Sequence, residues 1–209
     1  MAISLLELYG LRIKTNDKVY EPAEDSFLAL KALSTAISEL RGDAHASVLD
    51  MGCGTGLIGL YAAKSRLVEK ALLADKSDIA VKLAEENIAL NKLESKAKAI
   101  RSDLFSNITG FFDIIVFNAP YLKAEEGEPR EEAEMLSGGK EGVELSIRFL
   151  KEAKKHMKQG ALAILVASSL SNMKLLYGSI SKLGYSIKGK ISERFFFEEI
   201  TAITLQNTE

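Results

Sequence analysis

The sequence predicts an α/β fold in which a doubly wound, mainly parallel sheet of seven strands ends in an antiparallel hairpin. Short apolar runs alternate along the chain with stretches that carry apolar residues at helical spacing, a pattern typical of parallel sheets joined by crossover helices. The last two runs, Tyr185–Ile191 and Ile200–Leu205, are separated by too few residues for a helix. We therefore expect them to pair antiparallel.

The first half of the chain supplies three predicted helices and three predicted strands. Ala23–Leu40 has apolar residues at helical spacing, and Gly42 is placed to end that helix. Ser47–Asp50 is an apolar strand that runs into a glycine-rich turn, after which Leu57–Lys64 resumes a helical pattern. There follow a strand at Ala71–Ala74, a helix at Ser77–Leu90 with Ser77 as its cap, and a strand at Ala97–Ile100.

The second half continues the same alternation. Phe112–Phe117 and Ala161–Ala167 are apolar runs of strand length, and Val143–Met157 between them has a helical pattern. Met173–Leu183 is predicted as a helix because its apolar residues keep helical spacing and Gly184 can end it. The closing hairpin then completes the sheet.

Composition and charge exclude several classes of function. The 209 residues fit a single domain, taken as 1–209, in which residues 1–42 form a segment and helix that cap the ligand site. The formal net charge of −2 argues against a protein that coats nucleic acid. Met1–Lys14 lacks a signal-peptide pattern, and no apolar run approaches the ~18 residues of a membrane span. Cys53 is the single cysteine, which excludes a disulfide and a multi-cysteine metal site and suits the cytoplasm.

A glycine loop follows the first predicted strand. Gly52, Gly54 and Gly56 alternate there, and glycine lets the backbone turn sharply and approach a ligand closely. Gly54, Gly56 and Gly59 also satisfy the dinucleotide pattern, and Asp75 lies roughly 20 residues on, where an NAD enzyme keeps its ribose-binding acid. The loop alone therefore leaves S-adenosylmethionine and NAD both open.

Three acids follow three successive predicted strands, and their carboxylates are expected to meet in one crevice. Asp50 precedes the first glycine, where a carboxylate attracts an ammonium group and repels a pyrophosphate. Asp75 can accept bonds from both hydroxyls of a ribose, and Asp103 is placed to receive an adenine amino group. Leu104 and Phe105 would offer the adenine ring apolar surface. These positions favour S-adenosylmethionine.

The segment Asn118-Ala119-Pro120-Tyr121 follows the fourth predicted strand and is expected to project into the same crevice. An amide nitrogen is a weak nucleophile because its lone pair is delocalised into the carbonyl. The Asn118 side-chain oxygen and the Ala119 carbonyl would accept its two hydrogens and direct the lone pair at a methyl donor. Pro120 would stiffen the loop, and Tyr121 would pack on the planar group.

With this segment the sequence resembles methyltransferases that carry an N-P-P-Y motif and act on glutamine amides or on adenine or guanine amino groups. Together with Val19–Phe27 and Ser137–Gly142, it resembles the eukaryotic and archaeal branch of the release-factor glutamine methyltransferases (HemK-like), over Tyr20 to Leu205. Ala119 departs from the usual proline of the motif, which keeps the carbonyl but leaves the loop less rigid.

The resemblance implies a Rossmann-like class I methyltransferase fold. It also implies methyl transfer from S-adenosylmethionine to the glutamine of the Gly-Gly-Gln tripeptide in peptide-chain release factors. The residues predicted to bind the cofactor are Tyr20, Pro22, Ser26, Asp50, Gly52, Cys53, Gly54, Gly56, Asp75, Lys76, Asp103, Leu104 and Asn118. Those predicted to be catalytic are Asn118, Ala119, Pro120 and Tyr121.

The sequence leaves more than one interpretation open for partners of the protein. The branch that the sequence resembles uses a small zinc-binding activator subunit, which would pair with Lys96–Ile100 as an edge strand. Alternating lysines are also what a solitary protein uses to block edge pairing. The acidic stretch Lys123–Lys140 would form a lid, a dock for a basic protein or a solvated loop. The alternative function, adenine-N6 methylation of RNA or DNA, needs base extrusion and phosphate contacts that scattered lysines do not supply.

Overall fold

The structure, a computed structural model, describes residues 3–40, 45–121 and 138–208. Three features named in the sequence analysis lie wholly or partly outside the described residues. They are Gly42, Ser137 and most of the acidic stretch Lys123–Lys140.

Within the described residues the strands are β1 (Ile3–Leu8), β2 (Leu11–Asn16), β3 (Ala46–Met51), β4 (Val68–Asp75), β5 (Ala97–Arg101), β6 (Phe112–Asn118), β7 (Met157–Ser168), β8 (Tyr185–Phe195) and β9 (Glu198–Asn207). The helices there are α1 (Glu24–Ser38), α2 (Leu57–Lys64), α3 (Asp78–Leu90), α4 (Glu144–Ala153) and α5 (Met173–Lys182). The predicted sheet is present, and its seven strands stand in the order β5-β4-β3-β6-β7-β9-β8. Strands β3 to β7 pair in parallel, whereas β9 is antiparallel to both β7 and β8. The doubly wound fold with its closing hairpin is confirmed.

Both faces of the sheet are buried, as the continuous apolar runs of its central strands require. In β6, Ile114 and Val116 pack in the apolar cluster that contains α1 and α2. The alternate residues Ile115 and Phe117 pack in a second cluster with α4 and α5. This two-sided packing fixes the sheet and therefore the positions of the loops at its carboxyl-terminal edge.

The amino-terminal residues form a hairpin that the sequence analysis did not predict. β1 pairs antiparallel with β2 through Tyr9 and Gly10, whose φ angles of 54° and 70° suit a tight two-residue turn. The Asn87 side chain on α3 accepts from the Lys14 amide at 2.8 Å and donates to the Lys14 carbonyl at 3.0 Å. These bonds fasten β2 to the main body of the domain.

The prediction of a helix over Val143–Met157 is wrong at its carboxyl end, where the helix stops earlier. α4 stops at Ala153, a single 3-10 turn covers Lys154–His156, and Met157 already belongs to β7, where it pairs with Phe112. At Met157, the pairing with β6 therefore outweighs the helical pattern of the sequence. No helix in the described ranges has the length and hydrophobicity needed to cross a membrane.

Candidate active site

A cavity of about 690 Å³ opens at the carboxyl-terminal ends of β3, β4, β5 and β6. Open parallel sheets bind ligands in this crevice. Every predicted site residue except Asp50, Gly56 and Phe105 lines it. The lining also includes the described residues Asp17, Lys18, Val19, Asp25, Met51, Thr55, Leu57, Ile58, Ser77, Ile79, Ala80, Ser102, Phe117, Leu145 and Glu198.

The glycine loop has the backbone that its sequence predicts. Gly52, Gly54 and Gly56 have φ angles of 63°, 52° and 84°, which other residues rarely adopt. A Cβ atom at Gly56 would come within 2.9 Å of Leu73, which explains why this glycine packs under the loop instead of lining the cavity. Gly52 and Gly54 line the cavity, so backbone atoms form its surface there.

Asp50 lies beneath the glycine loop and is 1% exposed. One carboxylate oxygen accepts from the Gly59 amide at 2.8 Å, and no described residue bonds the other. Burial raises the pKa of Asp50 to about 7; the Asp75 charge adds to the rise and the Gly59 hydrogen bond opposes it. Asp50 therefore lies outside the lining of the cavity.

Asp75 ties the loop to the end of β4. One of its oxygens accepts from the Gly54 amide at 3.0 Å and the other from the Ser77 amide at 2.9 Å. Burial raises the pKa of this carboxyl, against the opposing effect of those amide donors. Since each carboxylate oxygen has two lone pairs, Asp75 keeps acceptor capacity for a ligand's hydroxyl groups.

The turn after β5 is organised by Ser102, which the sequence analysis did not single out. The buried Ser102 hydroxyl donates to the Leu104 carbonyl at 2.6 Å and accepts from the Asn107 amide at 3.0 Å. The turn places Leu104, with a φ of 45°, on the cavity wall and leaves Asp103 exposed beside it. Arg148 on α4 lies 3.2 Å from the Asp103 carboxylate.

Phe105 does not reach the cavity, so its predicted contact with an adenine ring is wrong. Its ring stacks on Phe149 and on His156, with centroid distances of 5.7 and 4.9 Å. The core thus holds the Phe105 ring on the other side of the turn. Of Leu104 and Phe105, Leu104 is the one that lines the cavity.

Asn118 stands at the opposite end of the cavity, where β6 ends. Its amide nitrogen donates to the Ser26 hydroxyl at 3.4 Å. Its amide oxygen is buried, and none of the described residues donates to it. The Ser26 hydroxyl in turn donates to Asp25 at 3.2 Å, and the Tyr20 hydroxyl reaches the second Asp25 oxygen at the same distance. This chain of bonds holds the amide nitrogen of Asn118 and leaves its amide oxygen without a donor among the described residues.

The loop that follows Asn118 is braced by the glycine-rich segment that begins at Gly138. A Cβ atom at Gly138 would come within 2.6 Å of the Pro120 carbonyl oxygen, and one at Gly142 within 2.6 Å of that of Tyr121. Ser171 also donates to the Tyr121 carbonyl at 2.6 Å. The described part of the Ser137–Gly142 motif therefore supports the loop after Asn118 by close backbone packing.

Two acids that the sequence analysis left without a role lie at the Asn118 end. Glu198, the first residue of β9, lines the cavity, and one of its oxygens is buried with no donor among the residues described. Burial raises the pKa of both Tyr20 and Tyr121. The negative charges of Asp25 and Glu198 add to this rise. Asp25 falls within the quoted Val19–Phe27 segment, whereas no sequence signal marks Glu198.

The charges around the cavity suit a cationic ligand. Its described lining carries five carboxylates and two amines. The carboxylates are those of Asp17, Asp25, Asp75, Asp103 and Glu198, and the amines are those of Lys18 and Lys76. S-adenosylmethionine, with a sulfonium and an ammonium against one carboxylate, fits this excess of negative charge, whereas the pyrophosphate of NAD would be repelled.

Comparison with known proteins decides between these ligands. The family model of the methyltransferase small domain matches residues 28–189. The chain belongs to the methyltransferase small-domain family. As a member of this family it is a methyltransferase, and its cofactor is S-adenosylmethionine.

Similar proteins share much of the chain's length. A protein of Methanocaldococcus jannaschii, provisionally named a protein N5-glutamine methyltransferase, is 36% identical over 95% of this chain and 97% of its own. A release factor glutamine methyltransferase of Borreliella burgdorferi is 31% identical over 86% of this chain but only 63% of its own. A solved chain of the Mtq2–Trm112 complex of E. cuniculi, described as methylating the termination factor eRF1, covers 91% of this methyltransferase and 99% of that chain. At 22% identity and a TM-score of 0.67, that likeness shows the common fold.

Proposed function

We propose that this methyltransferase modifies the side-chain amide nitrogen of the glutamine in a Gly-Gly-Gln segment of a peptide-chain release factor. The observation that carries the proposal is the buried Asn118 oxygen, which no described residue bonds. An unsatisfied buried acceptor is costly, so it is expected to receive hydrogens from a ligand. The glutamine methyltransferases among the similar proteins support the choice of acceptor.

The acceptor nitrogen has to be made nucleophilic. Asn118 would accept one of its hydrogens and the Ala119 carbonyl the other, which turns the nitrogen lone pair toward the methyl group. S-adenosylmethionine supplies that methyl on a positively charged sulfur, which leaves as a neutral thioether. The nitrogen gains a bond to carbon as the sulfur–carbon bond breaks, and the displaced proton passes to solvent. Tyr121 would pack against the planar amide.

We also propose how the predicted cofactor residues divide their work. Asp75 would accept from the ribose hydroxyls, Asp103 from the adenine amino group, and Leu104 would cover the adenine ring. Asp50 would favour the ammonium by its charge from below the loop. The amino-terminal segment, residues 1–42, would cap the site. Several of its described residues between 17 and 26 line the cavity, among them Tyr20 and Pro22.

A small partner subunit is proposed at the free edge of the sheet. β5 pairs with β4 alone among the described strands, which leaves its other edge open. The Lys96 ammonium donates to the carbonyls of Ser65 and Val68 at 2.8 Å each, so it does not guard that edge. Lys98 is the exposed lysine within β5. We propose that a small zinc-binding subunit adds there. Failure to form a complex with a Trm112-like protein in size-exclusion chromatography would contradict this.

The proposed acceptor is tested with labelled S-adenosylmethionine. The protein is incubated with a release factor containing Gly-Gly-Gln, with the same factor carrying Gln→Ala, and with adenine-containing RNA and DNA. We expect label on the intact release factor alone. Label on nucleic acid but not on the release factor would overturn the assignment. Because translation factors act there, we propose the cytoplasm as the site of the reaction.

A further inference from the structure

The turn between β8 and β9 presents two aromatic side chains to solvent. Phe196 is 98% exposed and Phe197 is 97% exposed, the highest values among the large hydrophobic side chains described. Phe196 also has a φ of 45°, a conformation that bulky residues seldom adopt. We call Phe196 and Phe197 the aromatic tip.

The aromatic tip is held firmly at its base. Phe195, just before it, packs against the core cluster that contains α1, and Lys31 on α1 forms an ion pair with Glu193 of β8. On the other side, the Ser169 amide donates to the Glu199 carbonyl at 2.9 Å and the Ser169 hydroxyl accepts from the Glu199 amide at 2.9 Å. The two exposed rings therefore sit on an ordered hairpin.

The position of the tip relates it to the acceptor end of the cavity. Because β9 is antiparallel to β7, its first residues lie at the edge of the sheet where the parallel strands end. Glu198, directly after the tip, lines the cavity and influences the Tyr20 and Tyr121 hydroxyls electrostatically. Leu170, which is 46% exposed, follows the Ser169 contact and extends the apolar surface. The aromatic tip thus directly precedes, in the chain, a residue that lines the same cavity as Asn118.

We propose that the aromatic tip is a docking surface for the protein that carries the methylated glutamine, a partner role that rests on the proposed function. The cavity admits a side chain, so a folded acceptor that places its glutamine beside Asn118 has to lie against the surface around the mouth. The partner surface is apolar with a basic group on one side, because Glu198 and Glu199 directly follow the rings in the chain. Exposed aromatic residues of this kind supply much of the affinity at protein interfaces.

The test compares a double variant, Phe196→Ala with Phe197→Ala, with the matched control Phe111→Ala. Phe111 is 61% exposed, and it precedes β6, at the end of that strand opposite Asn118. For each protein the KM for the intact release factor, kcat, the Kd for S-adenosylmethionine and the melting temperature are measured. We expect the double variant to raise KM about tenfold or more, with kcat and the cofactor Kd close to wild type. The control should change none of them.

Other results would overturn the proposal in distinguishable ways. If wild type methylates the release factor and the double variant keeps its KM, the tip is not a docking surface. The same conclusion follows if the double variant only abolishes self-association in analytical ultracentrifugation, because the rings then cover a second copy. If wild type does not methylate the release factor at all, the proposed function fails and the docking role fails with it.

Discussion

The amide nitrogen of Asn118 donates to the Ser26 hydroxyl across 3.4 Å, and this contact holds the nitrogen end of the asparagine side chain against α1. Ser26 lies on α1 and Asn118 at the end of β6, so the helix orients a residue on the central sheet. Asp25 accepts from the same hydroxyl and completes the arrangement. In the proposed reaction the Asn118 oxygen, to which no described residue donates, would accept a hydrogen from the substrate amide.

Substitution of Ser26 tests this orienting role. Ser26→Ala removes the hydroxyl that holds the Asn118 nitrogen, so the amide loses its preferred orientation. We expect kcat to fall about tenfold, the effect of one hydrogen bond lost in the transition state, and the Kd for S-adenosylmethionine to rise only a few-fold, since Ser26 is also among the residues predicted to bind the cofactor. A large rise in that Kd, measured by calorimetry, with an unchanged kcat would contradict the orienting role.

The glycine brace behind the catalytic loop predicts a second effect. In Gly138→Ala the added Cβ atom would lie 2.6 Å from the Pro120 carbonyl, so the loop must shift and kcat should fall by at least about tenfold. Gly178→Ala is the matched control, since Gly178 lies in α5 with open space around its added Cβ. That variant should keep its activity and gain about 0.5 to 1 kcal/mol in the free energy of unfolding. Equal kcat in both variants would contradict the brace.

The buried Asp50 carboxyl predicts a pH dependence of stability. Its pKa of about 7 in the folded protein exceeds the value near 3.9 expected in the unfolded chain. Between these pH values the folded state holds a proton that the unfolded state has lost, so the free energy of unfolding decreases as pH rises toward 7. The Asp50→Asn side chain stays neutral, so it makes no such pH-dependent contribution to the free energy of unfolding. In cofactor-free protein, its melting temperature relative to wild type should therefore increase from pH 4 to pH 8. A constant difference would show that Asp50 titrates normally.

Much of the fold follows from local patterns. The apolar runs that become β3 and β6 are buried on both faces, and the glycines after β3 adopt the positive φ angles that their sequence predicts. Ser77 caps α3 as expected by accepting from the Ala80 amide at 3.3 Å. In these segments the local preference and the tertiary packing agree.

Other features depended on contacts distant in sequence. Leu11, Ile13 and Thr15 are buried at alternate positions of β2, and the strand is secured by Asn87 far along the chain. Glu198 reaches the cavity only because β9 folds back beside β7. Neither contact has a local signature in the sequence.

The most direct test of the account is the kinetics of Asn118→Ala with the release factor as acceptor. Loss of the oxygen that accepts the glutamine hydrogens should lower kcat at least about 100-fold, by analogy with removal of one transition-state hydrogen bond. The Kd for S-adenosylmethionine should stay within a few-fold of wild type, because the glycine loop, Asp75 and Asp103 remain. An unchanged kcat would contradict the proposed grip on the acceptor nitrogen.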